Sequence, residues 1–537
     1  MARRKSEWKK AIQKQAARGR EESYISPGSD IPKEDRLKKS LLDNMIFLRQ
    51  QFSNSSDLLN REIQICGIKV QILACEGMVS LQNFSELLAE PLNSLEGQMS
   101  SPDELLGWFR QQAVLALDQK EVYSYSQIFQ FLTSGFAVVL AEGLDIGICF
   151  GLQGFNFRSI SEPSAEVNVR GSREGFVEPV RINMTMIRRR IKSPRLKFEM
   201  MTAGSQSRTD ICLVYMTDRV SEDFVNQTRL RLQQIPMDIV LESSYLQPFL
   251  EKKPYSFFSG IGTTERPDTL CAKIAEGRLA ILVDGTPFAL ILPYLFHENF
   301  QTVDDYTHRP VYAAFARLLK YLSFYLTILL PGLYVAVAVH HLELLPHTLL
   351  RRVMAAEAST PFPLMFEALI IQLIYELMRE AGLRLPRPVG HAIGIVGALV
   401  IGDAAVSAGL IGAPMVLIVA LTAITSFVVP SLYDSVTVLK FLFILAGGFF
   451  GLFGVTLGMS ALLLNLCSVS VGGVPATAPA TPFNPYSLRD MFMRAGWRFL
   501  GKYVFQIEDV PGSQMGDKRL HGQEDLGKEE ADDSNKD

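Results

Sequence analysis

The sequence predicts an α/β soluble N-terminal region of two lobes, followed by an α-helical transmembrane bundle of four full spans plus one short re-entrant or interfacial helix. Two observations carry this prediction. Charged residues make up 20% of the 537-residue chain, yet residues 389–488 contain only three, Asp403, Asp434 and Lys440. Short patterns of strand and helix period fill the first part, whereas long apolar runs begin near residue 321. The net charge of −3 therefore averages over two unlike halves.

Both ends of the chain are highly charged, with opposite sign. Residues 1–20 hold eight Lys or Arg against one Glu, and residues 505–537 hold ten Asp or Glu against four Lys or Arg. We therefore predict a basic disordered tail over 1–36 and an acidic disordered tail over 505–537. No apolar stretch follows the basic end, so we expect no secretory signal and a cytoplasmic N-terminal region. The basic end also suits attraction to an anionic membrane surface.

The first lobe, predicted over 37–155, is a mixed α/β unit because helical and strand periods alternate along it. Glycine supplies the turn between its first two strands. Its predicted elements are a helix with Leu41, Met45, Leu48 and Phe52 on one face, two strands within 61–75 joined at Gly67, helices at 101–118 and 125–133, and a strand hairpin within 136–154.

The second lobe, predicted over 156–310, begins with a helix whose apolar residues form one stripe and which Pro194 ends. Arg188, Arg189, Arg190 and Lys192 crowd its last turn, where cations favour the helix dipole. For this cluster we favour a solvated face or an inter-subunit contact over a phosphate or lipid-headgroup site. The other predicted elements are strands at 211–216, 237–242 and 278–285, a helix at 221–235, a tight turn at 284–287, and an apolar run at 288–296 resting near the membrane surface.

The membrane domain is predicted over 311–470, where four apolar runs are long enough to cross about 30 Å of hydrocarbon. Pro331 is expected to kink the first run. A further run, Pro363–Met378, is short and contains Glu367 and Glu376, which favours a re-entrant or interfacial helix. The four predicted spans are Tyr321–Leu342, Val389–Leu410, Ala413–Leu432 and Phe441–Cys467.

The distribution of cations does not fix the number of spans. Four spans return the C-terminal cytoplasmic segment, predicted over 471–504 and carrying Arg489 and Arg494, to the starting side. They also leave Arg351 and Arg352 on the outer side, against the positive-inside rule. Five spans would place the C-terminal cations outside instead.

Glycines spaced four residues apart within the predicted spans allow two helices to approach closely. Generic close packing, rather than a specific dimer motif, is the alternative reading of each pair. The candidate packing residues are Gly390, Gly394, Gly447, Gly451, Gly454 and Gly458.

Three carboxylates within apolar runs, Asp403, Glu367 and Glu376, are the candidate pore residues. An unpaired carboxylate inside a bilayer is costly unless it faces water, a partner or a proton, and a ring of such acids attracts cations. Asp403 has no basic residue within its own span or the next. The alternatives are a helix end reached by water for Asp403, and headgroup-facing positions for Glu367 and Glu376.

The sequence predicts neither an enzyme nor a bound metal or cofactor. It contains no Walker loop, HExxH or GxSxG motif, and its six cysteines include no CxxC pair. Its seven histidines show no ligand spacing. The near-zero net charge gives no indication of a nucleic-acid partner.

Six sequence blocks follow one another in the soluble part and after the last span: VRGSREGF (169–176), IRRRIKSP (187–194), TERPD (264–268), GRLAILVDGTPF (277–288), Asp-Asp-Tyr (304–306) and GGVPATAPATPFNP (472–485). In order and spacing they resemble the A-subunit family of bacterial spore germination receptors, the GerA family. The resemblance covers roughly residues 37–505. Ser172 stands where the family commonly has Pro.

The resemblance implies a multi-pass protein of the spore inner membrane that forms one subunit of a receptor complex. The expected partners are a transporter-like B subunit that senses the nutrient, a C-subunit lipoprotein, membrane lipids and further copies in a ring that acts as a nutrient-gated cation channel. Two alternatives stay open: an auxiliary germination channel that amplifies ion release, and a non-conducting scaffold or signalling subunit. A secondary transporter ranks last, since the spans show no internal repeat.

The resemblance also implies assembly or coupling roles for the charged family motifs. Opposite charges close in sequence suit ion pairs between lobes or subunits, where loss of one partner strands the other. The residues carried over are Arg170, Arg173, Glu174, Glu265, Arg266, Pro267, Asp268, Asp284 and Gly285.

Overall fold

The computed structural model describes residues 35–80, 82, 101–111, 118–154, 163, 166, 168, 170–384, 402–481, 483, 490–492, 494–497, 506–507, 510 and 513–515. The chain divides into two compact units, unit 1 being Met1–Arg158 with Met184–Phe198, and unit 2 being Ser159–Asn183 with Glu199–Asp537. Most of both predicted tails lies outside the described residues. The predicted domain boundaries stay predictions.

The first group of elements forms a mixed α/β unit, as predicted. Ser40 caps its first helix, because its side chain accepts a hydrogen bond from the Asp43 N–H. The elements are α1 Leu41–Gln51, β1 Leu58–Ile65, β2 Ile68–Cys75, α2 Pro102–Gln111, β3 Gln119–Val122, α3 Tyr125–Leu132, β4 Phe136–Ala141 and β5 Gly147–Gly151.

These strands form an antiparallel sheet in the order β1-β2-β4-β5-β3, covered on both faces. Successive side chains of a strand point to opposite faces. Ile72 and Ala74 belong to the core that includes α2, whereas Leu73 and Cys75 belong to the core that includes α1 and α3. The predicted apolar face of α1 is confirmed, since all four of its residues are buried.

A second group of elements follows along the chain. Its strands form a five-stranded sheet in the order β6-β7-β9-β10-β8. The elements are α4 Val180–Arg190, β6 Leu196–Ala203, β7 Thr209–Met216, α5 Glu222–Gln233, α6 Gln247–Leu250, β8 Gly262–Thr264, α7 Pro267–Ala275, β9 Leu279–Val283 and β10 Ala289–Leu292.

The two groups have the same topology. Among the described residues, and apart from the short helix α6, each runs helix, two strands, helix, strand, helix, two strands, and each sheet has the same strand order when counted from its own first strand. We call residues 36–151 repeat 1 and residues 175–292 repeat 2. The short helix α6 lies in a segment, 234–261, that connects α5 to β8, where repeat 1 has residues 112–118 between α2 and β3.

Matching hydrogen bonds support this equivalence. The buried Asn44 side chain accepts from the Lys38 N–H at 2.9 Å and donates to the Lys38 carbonyl at 2.6 Å. Asn183 makes the same two bonds with Val177, at 2.9 and 2.6 Å. Both amides therefore hold the turn that leads into the first helix of their repeat.

The carboxylates that cap these helices also correspond. The Leu41 N–H donates to Glu142 at 3.0 Å, and the Val180 N–H donates to Asp284 at 2.9 Å. Each acid is followed by a glycine of positive φ, Gly143 at 88° and Gly285 at 89°, where a side chain would be strained. Gly285 thus confirms the predicted tight turn.

Two predicted features of repeat 2 are wrong. Residues 237–242 form no strand, because the Met237 and Asp238 carbonyls accept from Ser205 and Gln206 N–H groups of the β6–β7 turn instead. The run 288–296 does not rest at a surface, since it contains β10, which lies between β9 and β8 in the sheet. Apolar composition alone does not distinguish a buried strand from an interfacial segment.

The predicted solvated face around Arg188 is also wrong for that residue. Its side chain is fully buried in unit 1 and forms an ion pair with Asp57 at 2.6 Å. It also donates to the Ser193 and Leu196 carbonyls, both at 2.8 Å. These bonds satisfy the guanidinium, so the charged side chain can be buried. The charge of Arg188 in the sequence does not by itself reveal this burial.

The segment after the last helix packs into repeat 2. Strands β11 Ser470–Val471 and β12 Val474–Pro475 form a small hairpin. Val471, Val474, Ile507, Val510 and Met515 are buried in the core that also contains β7 and β9 residues. The disorder predicted from residue 505 is therefore wrong for the last three, whose apolar side chains fill this core.

The helix bundle, which we define as residues 310–468 of unit 2, contains the long apolar helices. Its end next to repeat 2 is the sheet end and the opposite end is the distal end. The preceding short helix is α8 Val303–Thr307, and the bundle helices are α9 Pro310–His340, α10 His347–Glu357, α11 Leu364–Arg384, α12 Ala413–Ser426 and α13 Tyr433–Ser468.

Helix α13 folds back on itself at Gly451, whose φ of 61° and ψ of −146° are not helical. In a continuous helix Ser435 and Asn465 would be about 45 Å apart. Instead, the Ser435 hydroxyl donates to the Phe257 carbonyl, and the Ser256 hydroxyl donates to Asn465 at 3.0 Å. Helix α13 is therefore a hairpin whose two arms both reach the sheet end, and the single span predicted over 441–467 is wrong.

Two of the described segments, Pro310–His340 and Pro430–Ser468, are long and apolar enough to cross a membrane. Helix α12 ends at Ser426, short of the predicted span, because Pro430 cannot donate a helical hydrogen bond and disfavours a helical residue before it. Residues 389–401 of another predicted span lie outside the described residues. The count of four spans stays a prediction.

Helix α11 is longer than the predicted short helix. It has 21 residues, enough for about 31 Å. Its first turns lie at the distal end, where Glu367 meets Gly412, and it extends to Tyr433 at the sheet end. The two acids that argued for a short interfacial helix are both partnered inside the bundle, so they do not prevent a longer one.

Candidate functional site

Two charged family motifs, the blocks 169–176 and 264–268, meet around Arg266. Its buried guanidinium pairs with Asp268, with Nε–Oδ1 and Nη2–Oδ2 distances of 3.0 and 2.6 Å. The same group donates to the Ser172 carbonyl at 2.8 Å, and the Glu265 carbonyl accepts from the Phe176 N–H at 2.8 Å. Arg266 therefore ties the 169–176 block to the start of α7 within one chain, where Pro267 occupies the first turn.

The 169–176 block in turn contacts the segment that leads into the bundle. The main-chain N–H of Arg170 donates to the Asp304 carboxylate at 3.2 Å. Ser172, the departure from the family pattern, accepts from the Glu174 N–H at 3.3 Å, a bond that proline could not provide. Arg173 and Glu174 also have partners. The block thus connects Arg266 on one side to α8 on the other.

A buried ion cluster joins α8, α9 and the C-terminal segment. We call Asp305, Tyr306, Arg317, Lys320 and Asp490 the junction cluster. Arg317 is 0% exposed and lies 3.2 Å from Asp305 and 3.0 Å from Asp490. Lys320 lies 3.1 Å from Asp305, and the Tyr306 hydroxyl donates to Asp490 at 2.7 Å.

The junction cluster stabilises the point where the chain enters its first long apolar helix. Truncation of one member of such a buried network costs about 3–5 kcal/mol, because the other charges are left unpaired. Sequence reasoning noted Asp305 and Tyr306 only as part of a block and missed Arg317, Lys320 and Asp490. The sequence pattern that could have indicated this cluster is a pair of cations, Arg317 and Lys320, three residues apart at the start of an apolar run.

A second buried network surrounds Glu298, next to the same junction. Its carboxylate accepts from Arg278, from Lys273 at 2.5 Å and from the Leu295 N–H at 2.8 Å. Burial alone would raise the pKa of Glu298, but Arg278 and Lys273 hold it well below its usual range. The adjacent His297 lies 3.1 Å from the Ala478 carbonyl, and burial lowers its pKa to about 4.

Two of the three candidate pore acids have partners inside the bundle. Glu367 is 1% exposed and accepts from the Gly412 N–H, which places a carboxylate at the N-terminus of α12. Glu376 pairs with the buried Lys440 and accepts from the Tyr433 hydroxyl at 2.5 Å. Both positions differ from the predicted headgroup-facing alternative.

Asp403 differs from the other two acids. Its side chain is exposed on the single chain, in a short helical turn at 402–407. Within the described part of the chain, no hydrogen bond or ion pair of Asp403 is seen. Neighbouring Ala404 and Ala405 line a cavity of about 440 Å³ together with Glu367. Asp403 is therefore the candidate acid that remains available to water, an ion or another subunit.

The glycines pack the hairpin of α13. The main chains of α9 and α13 approach closely at Gly332 and Gly447, where an added Cβ on either would collide with a carbonyl of the other helix. Gly451 forms the turn beside His340 and His341, and Gly454 and Gly458 lie against the first arm. The predicted pair Gly390 and Gly394 lies outside the described residues.

Sequence comparison assigns the chain to a family. Residues 47–503 match the family described as Bacillus/Clostridium GerA spore germination protein. The chain belongs to the GerA family. This is the family of spore germination receptor A subunits, which is not a known class of enzyme, and membership implies a spore membrane location. The two long apolar segments agree with that location.

Individual GerA relatives are similar along most of their length. Spore germination protein KA of Bacillus subtilis (strain 168) is 37% identical over 466 residues, which covers 86% of this chain and 85% of that protein. The uncharacterised membrane protein YfkQ of the same organism is 36% identical over 480 residues, covering 88% and 91%.

One solved structure also matches. It is the crystal structure of the N-terminal domain of the A subunit of the Bacillus megaterium spore germinant receptor GerK3, 29% identical, covering 49% of this chain and 97% of that one with a TM-score of 0.38.

Proposed function

We propose that this chain is a subunit of a germination receptor complex in the spore inner membrane, with its N-terminal region cytoplasmic, and that it oligomerises into a nutrient-gated cation channel. The observation that carries the proposal is the continuous path from Arg266 through the 169–176 block and Asp304 to the junction cluster. A movement of repeat 2 would act directly on the start of α9 through this path.

Asp403 is the proposed pore acid. Its exposure in a single chain supports this role, because a ring of subunits would place several such carboxylates around one axis and attract cations. Glu376 is a weaker candidate since Lys440 neutralises it. Glu367 acts in this proposal as a positioning residue that holds the start of α12.

The proposed partners are a transporter-like B subunit that senses the nutrient and a C-subunit lipoprotein. The GerA chain would receive the signal through its soluble repeats and transmit it to the bundle. An exposed apolar stripe on the first turns of α9 supports contact with a further copy or with lipid; it comprises Val311, Tyr312, Phe315, Leu318 and Leu322.

The alternatives are an auxiliary channel of the same family and a non-conducting scaffold or signalling subunit. Ion flux separates the channel classes from the scaffold. Purified protein in liposomes is expected to pass potassium or sodium ions, and the Asp403→Asn variant is expected to lower that flux about tenfold, since loss of one charge per subunit removes the attraction for cations.

The matched control is Asp434→Asn, an exposed acid at the sheet end. It is expected to leave the flux unchanged. Absence of flux from an intact oligomer would favour the scaffold. Equal flux from the wild type and Asp403→Asn would remove Asp403 from the pore while leaving the channel assignment in place.

A further inference from the structure

Loop 252–257 of repeat 2 lies at the sheet end of the helix bundle. The Phe257 carbonyl accepts from the Ser435 hydroxyl at the start of α13, and Ser256 donates to Asn465 near its end. The following residue, Phe258, is buried in the core of the bundle with Phe324. These contacts fix the loop beside the ends of both arms of α13, with Phe258 packed against the middle of α9.

The side chains of this loop combine positive charge with exposed aromatic surface. Tyr255 is 99% exposed, Phe257 is 38% exposed, and Lys252 and Lys253 are exposed beside them. The acid that precedes the loop in sequence, Glu251, is engaged by the Ser259 hydroxyl and the Gly260 N–H. Aromatic rings and lysines at the ends of membrane helices favour the headgroup layer, and anionic lipids attract lysines.

The comparison of the repeats shows that this loop is an addition to the shared fold. It lies within the 234–261 connection, whereas repeat 1 joins the equivalent elements through residues 112–118. An exposed tyrosine and phenylalanine contribute nothing to the core of repeat 2. The fold does not require these exposed aromatic side chains next to the bundle, and exposed apolar surface of this kind indicates a binding role.

We propose that loop 252–257 is a membrane-surface anchor that places Tyr255 and Phe257 among the headgroups of anionic phospholipids, with Lys252 and Lys253 binding the phosphates. The anchor rests on the proposed membrane location of the bundle. It would hold repeat 2 at a fixed height above the bilayer, so that a movement of the repeat is transmitted to α9 and not lost as free tilting.

A nitroxide label at Tyr255→Cys tests the anchor. The full chain, carrying Cys467→Ser to remove the exposed native thiol, is reconstituted in vesicles of phosphatidylcholine with phosphatidylglycerol. We expect the label to be relaxed more by oxygen, which enters the bilayer, than by a water-soluble nickel chelate. A label at Gln206→Cys, in the β6–β7 turn at the opposite edge of the sheet, is the aqueous control.

The lysines provide the second arm. Lys252→Gln with Lys253→Gln is expected to weaken lipid contact at residue 255 by about fivefold per lysine, and arginine at both positions is expected to preserve it. Contact that is equal in phosphatidylcholine alone would overturn the role of anionic lipid. Spin–spin broadening between labels would instead indicate a second copy as the occupant and overturn the anchor.

Alkaline extraction of the same vesicles separates this inference from the membrane assignment on which it rests. A chain that resists extraction but carries a fully aqueous label at residue 255 overturns the anchor alone. A chain that is extracted overturns the membrane location, and the anchor with it.

Discussion

Repeat 1 and repeat 2 share a fold but differ at the start of the helix that precedes their last two strands, α3 and α7. In repeat 1, Ser124 caps α3 by accepting a hydrogen bond from the Gln127 N–H at 3.3 Å. In repeat 2, the equivalent Arg266 makes no side-chain cap and instead binds Asp268 and the Ser172 carbonyl. Residues that both repeats share maintain the fold. Arg266, which occurs at this position only in repeat 2, instead connects the repeat to the 169–176 block and through it to the bundle.

This difference distinguishes residues that only stabilise the fold of a repeat from residues that also connect repeat 2 to the bundle. Two pairs of residues have the same structural role in both repeats, Asn44 with Asn183 and Gly143 with Gly285. Their role in the fold explains them without a function in signalling. The 252–257 loop has no counterpart among the described residues of repeat 1, and Arg266 stands where repeat 1 has the helix cap Ser124. They are therefore the positions of repeat 2 where we expect substitutions to affect signalling as well as folding.

The largest expected difference concerns Arg266. Arg266→Ala leaves Asp268 and the Ser172 carbonyl without their partner, so we expect a loss of about 3–5 kcal/mol in the free energy of unfolding. The matched change in repeat 1, Ser124→Ala, removes only a helix cap and is expected to cost about 1 kcal/mol. Denaturant unfolding of the full chain in detergent measures both, and equal costs would remove the distinction between the repeats.

The two equivalent asparagines, Asn44 and Asn183, test the contacts that both repeats share. Asn44→Ala and Asn183→Ala each remove two hydrogen bonds between a buried side chain and the main chain, which is expected to cost about 1–3 kcal/mol. Asn44 also accepts from the Tyr125 hydroxyl at 2.7 Å, so its loss should be the larger. The same unfolding experiment tests this order. A negligible effect at one site only would contradict the structural equivalence.

The smallest expected effect is a pH dependence from His297, which follows repeat 2, since neither 35–154 nor 175–292 contains a histidine. Burial lowers the pKa of His297 from 6.5 to about 4. The unfolded chain therefore binds more protons between these values, and stability falls as the pH falls, by about 1 kcal/mol between pH 6.5 and 5.5.

His297→Gln should flatten this part of the curve, because glutamine does not titrate. Melting temperatures of the wild type and the variant across this range provide the measurement. Parallel curves for the two proteins would show that His297 is not the titrating group.

Local patterns predicted the elements of both repeats because each depends on a few neighbouring residues. The α1 face of Leu41, Met45 and Leu48, the turn at Gly67 and the hairpin at 136–154 are examples. The family motifs were found for the same reason. The repeat itself was missed, since its shared contacts pair residues far apart in sequence, such as Leu41 with Glu142.

The bundle was predicted less well because hydropathy does not report contacts. The apolar run of α13 continues through Gly451 without any change in composition, and only the contacts of Ser435 and Asn465 reveal the fold-back. Glu376 was predicted as a pore acid because its partner, Lys440, lies 64 residues away. Arg317 was missed since its partners come from two separate segments of the chain, one around Asp305 and one around Asp490.

The central claim is that repeat 2 acts on the bundle through the junction cluster, and Asp490→Asn tests it most directly. The asparagine keeps the shape of a partly exposed residue but weakens its hold on Arg317 and Tyr306. Potassium release from spores that carry this variant as their copy of the chain, at a protein level matched by immunoblot, is the measurement. The account predicts release slowed about tenfold, the kinetic equivalent of about 1.4 kcal/mol. Release at the wild-type rate, with the protein present in full amount, would contradict it.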